Sequence, residues 1–225
     1  MKVFSALTEK PWLATPGGGA PLDMSGTTAT AQIALRFLLV VISIAFVLIF
    51  VTFLTRSQYP DFRALAGEPW LPFNQSPRLW ATTAILVTAS GAMQWAWHSV
   101  KAKRPDGVML GASIGGFMAL VFIMAQWTTW NYLTSLGYGV SENPANSYFF
   151  LFTGLHALHL LGGVFAVIRV FVRIGRGCTL DQVAVAVKAC TTYWHYLLGL
   201  WLLLFFLLTR TPETYAAIAA ACGLG

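Results

Sequence analysis

NSYFFLFTGLHALHLLGGVFAVIRVFVR, residues Asn146–Arg173, contains no Asp or Glu and no Lys or Arg before Arg169. A helix of that length and apolarity is enough to cross the roughly 30 Å hydrocarbon core of a bilayer. His156 and His159 lie inside it, three residues apart and so on one helical face. A histidine at membrane depth is costly, and each needs a partner: a hydrogen-bond acceptor, a haem iron, another metal or a proton path. Function turns on what these two rings meet.

The rest of the chain is of the same kind. Of its 225 residues 57% are hydrophobic and only 10% charged, and the mean hydropathy is +0.67. Soluble domains carry roughly a quarter charged residues, so this composition belongs in lipid. The formal net charge of +6 reports topology and anionic headgroups, because the basic residues lie between the apolar runs and not in one patch. Three widely separated cysteines, Cys178, Cys190 and Cys222, give neither a disulfide framework nor a metal-ligand spacing, and read as free thiols. The first thirty residues lack the basic start and apolar core of a cleavable signal.

Outward from the opening stretch, the apolar runs predict an all-α integral membrane bundle of five transmembrane helices. The spans fall at about 37–55, 79–100, 108–133, 147–172 and 189–209. Closed barrels are excluded because the runs are too long and too uniformly apolar for barrel strands. Residues 1–30, rich in Pro, Gly and Thr, read as an irregular tail, 31–212 as the transmembrane domain, and 213–225 as a short tail. Lys101, Lys103 and Arg104 follow the second span and Arg173, Arg176 and Lys188 surround the loop after the fourth, whereas the third loop carries only Glu142. Positive loops stay inside, so the N-terminus is expected to be cytoplasmic and the C-terminus periplasmic. Gly111, Gly115, Gly116, Gly154, Gly162 and Gly163 mark where helices can approach closely.

Three side-chain groups carry the candidate chemistry. His156 or His159 could face His195 across the bundle as a haem-ligand pair, or all three could be structural hydrogen-bonding groups. The spans contain no Asp or Glu, so the chain is poorly equipped to move protons by itself. Trp70, Trp80, Trp95, Trp97, Trp127, Trp130, Trp194 and Trp201 suit interfacial anchoring and lipid packing. Arg169 and Arg173, four apart at the inner end of the fourth span, could snorkel or hold a phospholipid phosphate. No nucleotide loop, nucleophile elbow, HExxH or dinuclear copper pattern is present. An accessory membrane subunit, a membrane cytochrome b and a small transporter all remain open on these residues alone.

Taken together, four motifs resemble subunit III of the haem–copper respiratory oxidases. They are YFFLFTGLHALHLLGG within the opening stretch, TYWHYLLGLW at Thr192–Trp201, ASGAMQWAWHSV at Ala89–Val100, and Gln126 in its aromatic surroundings. They stand in the family's order over roughly Arg36 to Arg210, and the chain looks like the short five-helix form found in many bacterial oxidases. Two departures stand out. Ile44 occupies the place of a buried glutamate in the family's I-S-E pattern, and Leu198 stands near an expected Asp.

The resemblance implies a non-catalytic accessory subunit that stabilises the catalytic subunit I, binds structural phospholipid and sits in a bacterial inner membrane. It implies no metal and no cofactor on this chain, with haem and copper in the partner subunits. Under that reading His156, His159 and His195 make structural hydrogen bonds, and Trp95, His98, Arg169 and Arg173 are candidates for lipid or subunit contact. A b-type cytochrome, or an accessory subunit of a nitric oxide reductase, is the alternative.

Overall fold

The structure is a computed structural model that describes residues 24–66, 72–73 and 77–223. All its regular structure is helical: α1 Met24–Arg56, α2 Pro77–Lys101, α3 Pro105–Ser135, α4 Pro144–Gly175, α5 Leu180–Leu208 and α6 Pro212–Ala221. Four of these are long and apolar enough to cross a membrane: α1 from Thr30, α3, α4 and α5. The helix over the second expected span, α2, is not among them. Its sequence intersperses Thr82, Thr83, Thr88, Ser90, Gln94 and His98 with the apolar residues, which lowers its hydropathy without shortening it.

The termini differ from the sequence reading. The irregular tail was expected to run to residue 30, but α1 already begins at Met24; Met1–Asp23 and Trp70 lie outside the described residues. The short tail after Pro212 forms the short helix α6. Pro212 starts it, as a residue whose missing N–H costs nothing in a first turn, and Tyr215 anchors it. The Tyr215 hydroxyl donates to the Leu207 carbonyl at 2.8 Å, and its ring stands edge-on to Phe53 at 5.2 Å. Burial pushes the Tyr215 phenol above its ordinary pKa.

Caps and turns fix the helix ends. Asn143 caps α4 by accepting from the Ala145 N–H at 3.3 Å. The same side chain accepts from the Arg63 N–H at 3.1 Å and donates to the Arg63 carbonyl at 2.5 Å, tying the segment after α1 to the start of α4. Arg56 at the end of α1 pairs with Asp61 and, chiefly by that hydrogen bond, holds the carboxyl below its ordinary pKa. Between α2 and α3 the chain reverses through Lys103 at φ 55°. There Arg104 N–H bonds Ser99 O at 2.9 Å and Lys103 N–H bonds Val100 O at 3.0 Å, the paired bonds of a Schellman turn. The Lys103 ammonium then reaches Asp181 in the first turn of α5.

Helices α2 and α3 form the most extensively packed pair, α3 continues onto α4, and α5 closes the group by packing on both α2 and α4. Helix α1 leans on α4 and α5 and carries α6. The core holds Trp201, Phe122, Phe149, Phe152, Leu160 and Leu197, each under 2% exposed. The candidate histidines and arginines sit on α4 or α5, apart from His98 on α2.

Candidate functional site

The opening stretch puts His156 on the inward face of α4, fully buried. Its ring lies 5.6 Å from Phe122 of α3 and 5.3 Å from Trp201 of α5. Neither ring nitrogen meets a hydrogen-bond partner among the described residues, and the same is true of the buried amide of Gln126. His156 is thus held by aromatic walls and not by interhelical hydrogen bonds. Trp201 is better satisfied: its indole N–H donates to Thr83 Oγ1 on α2 at 2.9 Å, while its ring stacks edge-on with Phe122 at 4.7 Å.

His159, one turn on, turns back on its own helix. Its Nδ1–H donates to the Leu155 carbonyl at 2.7 Å, and its ring rests 5.8 Å from Phe46 of α1. The interhelical bond at this level is made by its backbone, whose carbonyl accepts from the Tyr193 hydroxyl of α5 at 3.0 Å. Gly163 lets α5 come this close: a Cβ there would lie 3.1 Å from the Trp194 ring and 3.2 Å from Tyr193.

His195 makes two interhelical hydrogen bonds through its side chain. Its Nδ1 is 2.5 Å from Ser90 Oγ and its Nε2 3.0 Å from Gln94 Oε1, both on α2. Gln94 Nε2 in turn donates to His98 Nε2 at 3.1 Å. Ser90, Gln94 and His98 are four apart, one face of a helix, and the chain of bonds follows that face. His195 and His98 are exposed, Gln94 is partly buried and Ser90 buried. Thr191, one turn before His195, adds a bond to the Met93 carbonyl at 3.0 Å. Helix α5 thereby grips α2 at two successive levels. His195→Leu should cost about 1 kcal/mol, within the range of roughly 0.6–1.7 for hydrogen bonds between membrane helices, read from equilibrium unfolding in mixed micelles.

His156 and His195 therefore do not face each other. One ring is packed on Phe122 and Trp201, the other engaged with α2. Among the described residues no group of three or more His, Cys, Asp or Glu could hold a metal ion. The three cysteines are free, with Cys190 buried and Cys222 exposed.

Arg169 and Arg173 are exposed on α4 and border a groove of about 430 Å³ between α1, α4 and α5. Its walls are apolar or small, with Leu35 and Leu38 from α1, Ala166 from α4, and Ala186 and Ala189 from α5. Trp95 is 46% exposed on α2. Trp97 beside it lies under two ammonium groups, Lys101 at 5.1 Å and Lys188 at 6.0 Å, an arrangement suited to a membrane interface.

Some of this polar wiring escaped the sequence reading. Gln94, Thr83 and the Ser43–Tyr196 hydroxyl pair at 2.8 Å were not singled out there. The spacing of Ser90, Gln94 and His98 on one helical face is the signal that could have found the first. The other two depend on which helices become neighbours.

Comparison with known proteins bears on the same residues. The family model for cytochrome c oxidase subunit III matches residues 23–210. A probable cytochrome c oxidase subunit 3 of Mycobacterium tuberculosis is 29% identical over 150 residues, covering 65% of this chain and 74% of the relative. Cytochrome c oxidase subunit 3 of Thermostichus vulcanus is 30% identical over 145 residues, covering 63% and 71%. The soybean (Glycine max) subunit 3 is 28% identical over 148 residues, covering 65% of this chain and 52% of its own length. The match spans all the motifs that prompted the resemblance, and the helices that carry it make a multi-pass membrane protein. The chain belongs to the cytochrome c oxidase subunit III family.

Proposed function

We propose that this chain is a non-catalytic accessory subunit of a terminal haem–copper oxidase in a bacterial inner membrane. It stabilises the catalytic subunit and holds structural phospholipid. The observation that carries the reading is the family match over residues 23–210, which spans all four motifs. In this reading α2 is a fifth crossing: its 25 residues span about 37 Å at about 1.5 Å per residue, and its polar side chains face α5 or a partner instead of lipid. The N-terminus is cytoplasmic, supported by Lys101, Lys103, Arg104, Arg173, Arg176 and Lys188 at the same ends of the bundle. Haem and copper belong to the partner subunits, and His156, His159 and His195 are packing and positioning groups of the bundle.

The groove between α1, α4 and α5 supports the lipid part of the proposal. It offers small and apolar walls for an acyl chain, and two guanidinium groups, Arg169 and Arg173, within reach of a headgroup phosphate. The Arg169→Leu, Arg173→Leu double variant should therefore purify with less tightly bound anionic phospholipid, by about one molecule per complex, read by quantitative lipid mass spectrometry. Unchanged lipid content would remove this part of the reading.

Purification of the tagged chain from its native membrane in mild detergent tests the role itself. The expected result is co-purification with a large haem–copper subunit whose visible spectrum is unchanged by His195→Ala. A Soret band retained by the isolated chain and lost in His195→Ala would instead make it a b-type cytochrome. Co-purification with a nitric oxide reductase would reassign the complex.

A further inference from the structure

We infer that the outward strip of α2 and α5 carrying Gln94, His98 and His195 docks a transmembrane helix of another oxidase subunit. That helix presents a hydrogen-bond acceptor to His98 and Gln94. The inference rests on the accessory-subunit reading and adds the docking face and the chemistry of its partner.

The hydrogen-bond chain sets the protonation pattern. Gln94 Oε1 can only accept, so His195 Nε2 carries the proton and its Nδ1 accepts from the Ser90 hydroxyl. Gln94 Nε2 can only donate, so His98 Nε2 accepts and the His98 proton sits on Nδ1. With the amide in this orientation, the His98 Nδ1–H and the second Gln94 N–H have no hydrogen-bond partner among the described residues. The strip ends in surplus donors.

The Gln94 donor lies below the interface in the five-crossing arrangement, and His98, three residues from Lys101, stands at its edge. Lys101, over the Trp97 ring, marks the headgroup level of α2. Gln94 lies seven residues deeper, about 10 Å at about 1.5 Å per residue. Lys188 marks the same level on α5, and His195 also lies seven residues beyond it. An acyl chain offers no acceptor there, and hydrocarbon strongly disfavours an unmet polar group. A neighbouring helix with a carboxylate, amide or hydroxyl oxygen satisfies them.

The surroundings separate this strip from a lipid-facing one. The outer face of α1 presents large apolar side chains, with Phe37 68%, Val41 62% and Leu48 61% exposed. On α2, Gly91 lies on the same outward strip with open space where a Cβ would stand, one turn from Gln94, and permits close approach of another backbone. A second copy of this chain is the weaker occupant, since pairing the same strips sets donor against donor.

Photo-crosslinking in the intact complex tests the assignment. Trp95→p-benzoylphenylalanine, on the strip, should link to another oxidase subunit, and Phe37→p-benzoylphenylalanine, on α1, to lipid alone. His98→Leu removes a surplus donor and should lower partner co-purification at least fivefold in mild detergent, with Phe37→Leu unchanged. Lipid-only labelling at Trp95, or a link to a second copy of this chain, overturns the docking face. So does full co-purification of His98→Leu. If oxidase subunits co-purify while Trp95 labels lipid, the face alone is wrong; if none co-purify with the unaltered chain, the accessory role falls with it.

Discussion

Gly111→Ala should be among the most damaging single-methyl additions in the bundle, costing about 3 kcal/mol, the upper end of typical overpacking penalties. A Cβ at Gly111 would lie 2.8 Å from the Ala92 carbonyl oxygen, 2.9 Å from the Ala96 nitrogen and 3.0 Å from its Cα. All three atoms are backbone, so no side chain can swing aside and α2 and α3 must separate. This pair is the most extensively packed in the molecule, and separation there disturbs Ser90, Gln94 and Thr83 as well. Two neighbours serve as internal controls. At Gly115 the new methyl meets Met93 Cγ and Sδ at 2.9 Å, a flexible side chain that can shift, and the Ala89 carbonyl oxygen at 3.3 Å, so about 1–2 kcal/mol is expected. At Gly116 the nearest atom is Val167 Cγ1 at 3.8 Å, an ordinary contact, and Gly116→Ala should be near neutral. Equilibrium unfolding of the three variants in mixed micelles checks the order. Equal effects would show that the helix-pair contact does not set the stability.

These glycines also show how far the sequence could be read. The pattern of small residues identified six positions, but only Gly111, Gly115 and Gly163 have neighbours close enough for a methyl to be felt strongly. Gly154 has open space and Gly162 only the Tyr193 hydroxyl at 3.8 Å. A small residue is necessary for close approach and not sufficient, because which face meets a neighbour depends on the arrangement of all the helices. Helix existence was legible for a simpler reason: a long apolar run can satisfy its backbone in lipid only as a helix. Helix α6 escaped because ten residues with five alanines in the last six lack the length that made the other runs unambiguous. Its stability comes from the aromatic contacts of Tyr215 with α1.

The histidines divide along the same line. Their presence on one face of α4 was readable from spacing. Their partners were not, because a hydrogen bond to the helix's own carbonyl, as at His159, and an aromatic enclosure, as at His156, leave the same trace in sequence. His195 was separable only through α2, whose threonines, serine and glutamine interrupt an apolar span. Once α5 is beside it, those interruptions become the contacts that join the two helices.

Trp201→Ala should cost about 3 kcal/mol and loosen α5 from both α2 and α3. The side chain is completely buried, and loss of a core tryptophan typically costs roughly 3–5 kcal/mol. The lower end applies because an unfolded helix still in the membrane keeps its side chains in an apolar medium, leaving packing as the main loss. Three neighbours lose a contact at once: Phe122 its edge-on partner at 4.7 Å, His156 one of its two aromatic walls, and Thr83 the indole donor. Trp201→Phe separates these effects. It refills most of the space and leaves Thr83 Oγ1 only its intrahelical bond to the Leu79 carbonyl, so about 1 kcal/mol is expected from the lost interhelical bond and the smaller ring. If Trp201→Phe proves as costly as Trp201→Ala, the hydrogen bond to Thr83 carries the contact. If both are mild, the aromatic layer around His156 is not where α5 is held, and the grip must come from the Ser90–His195–Gln94 level instead.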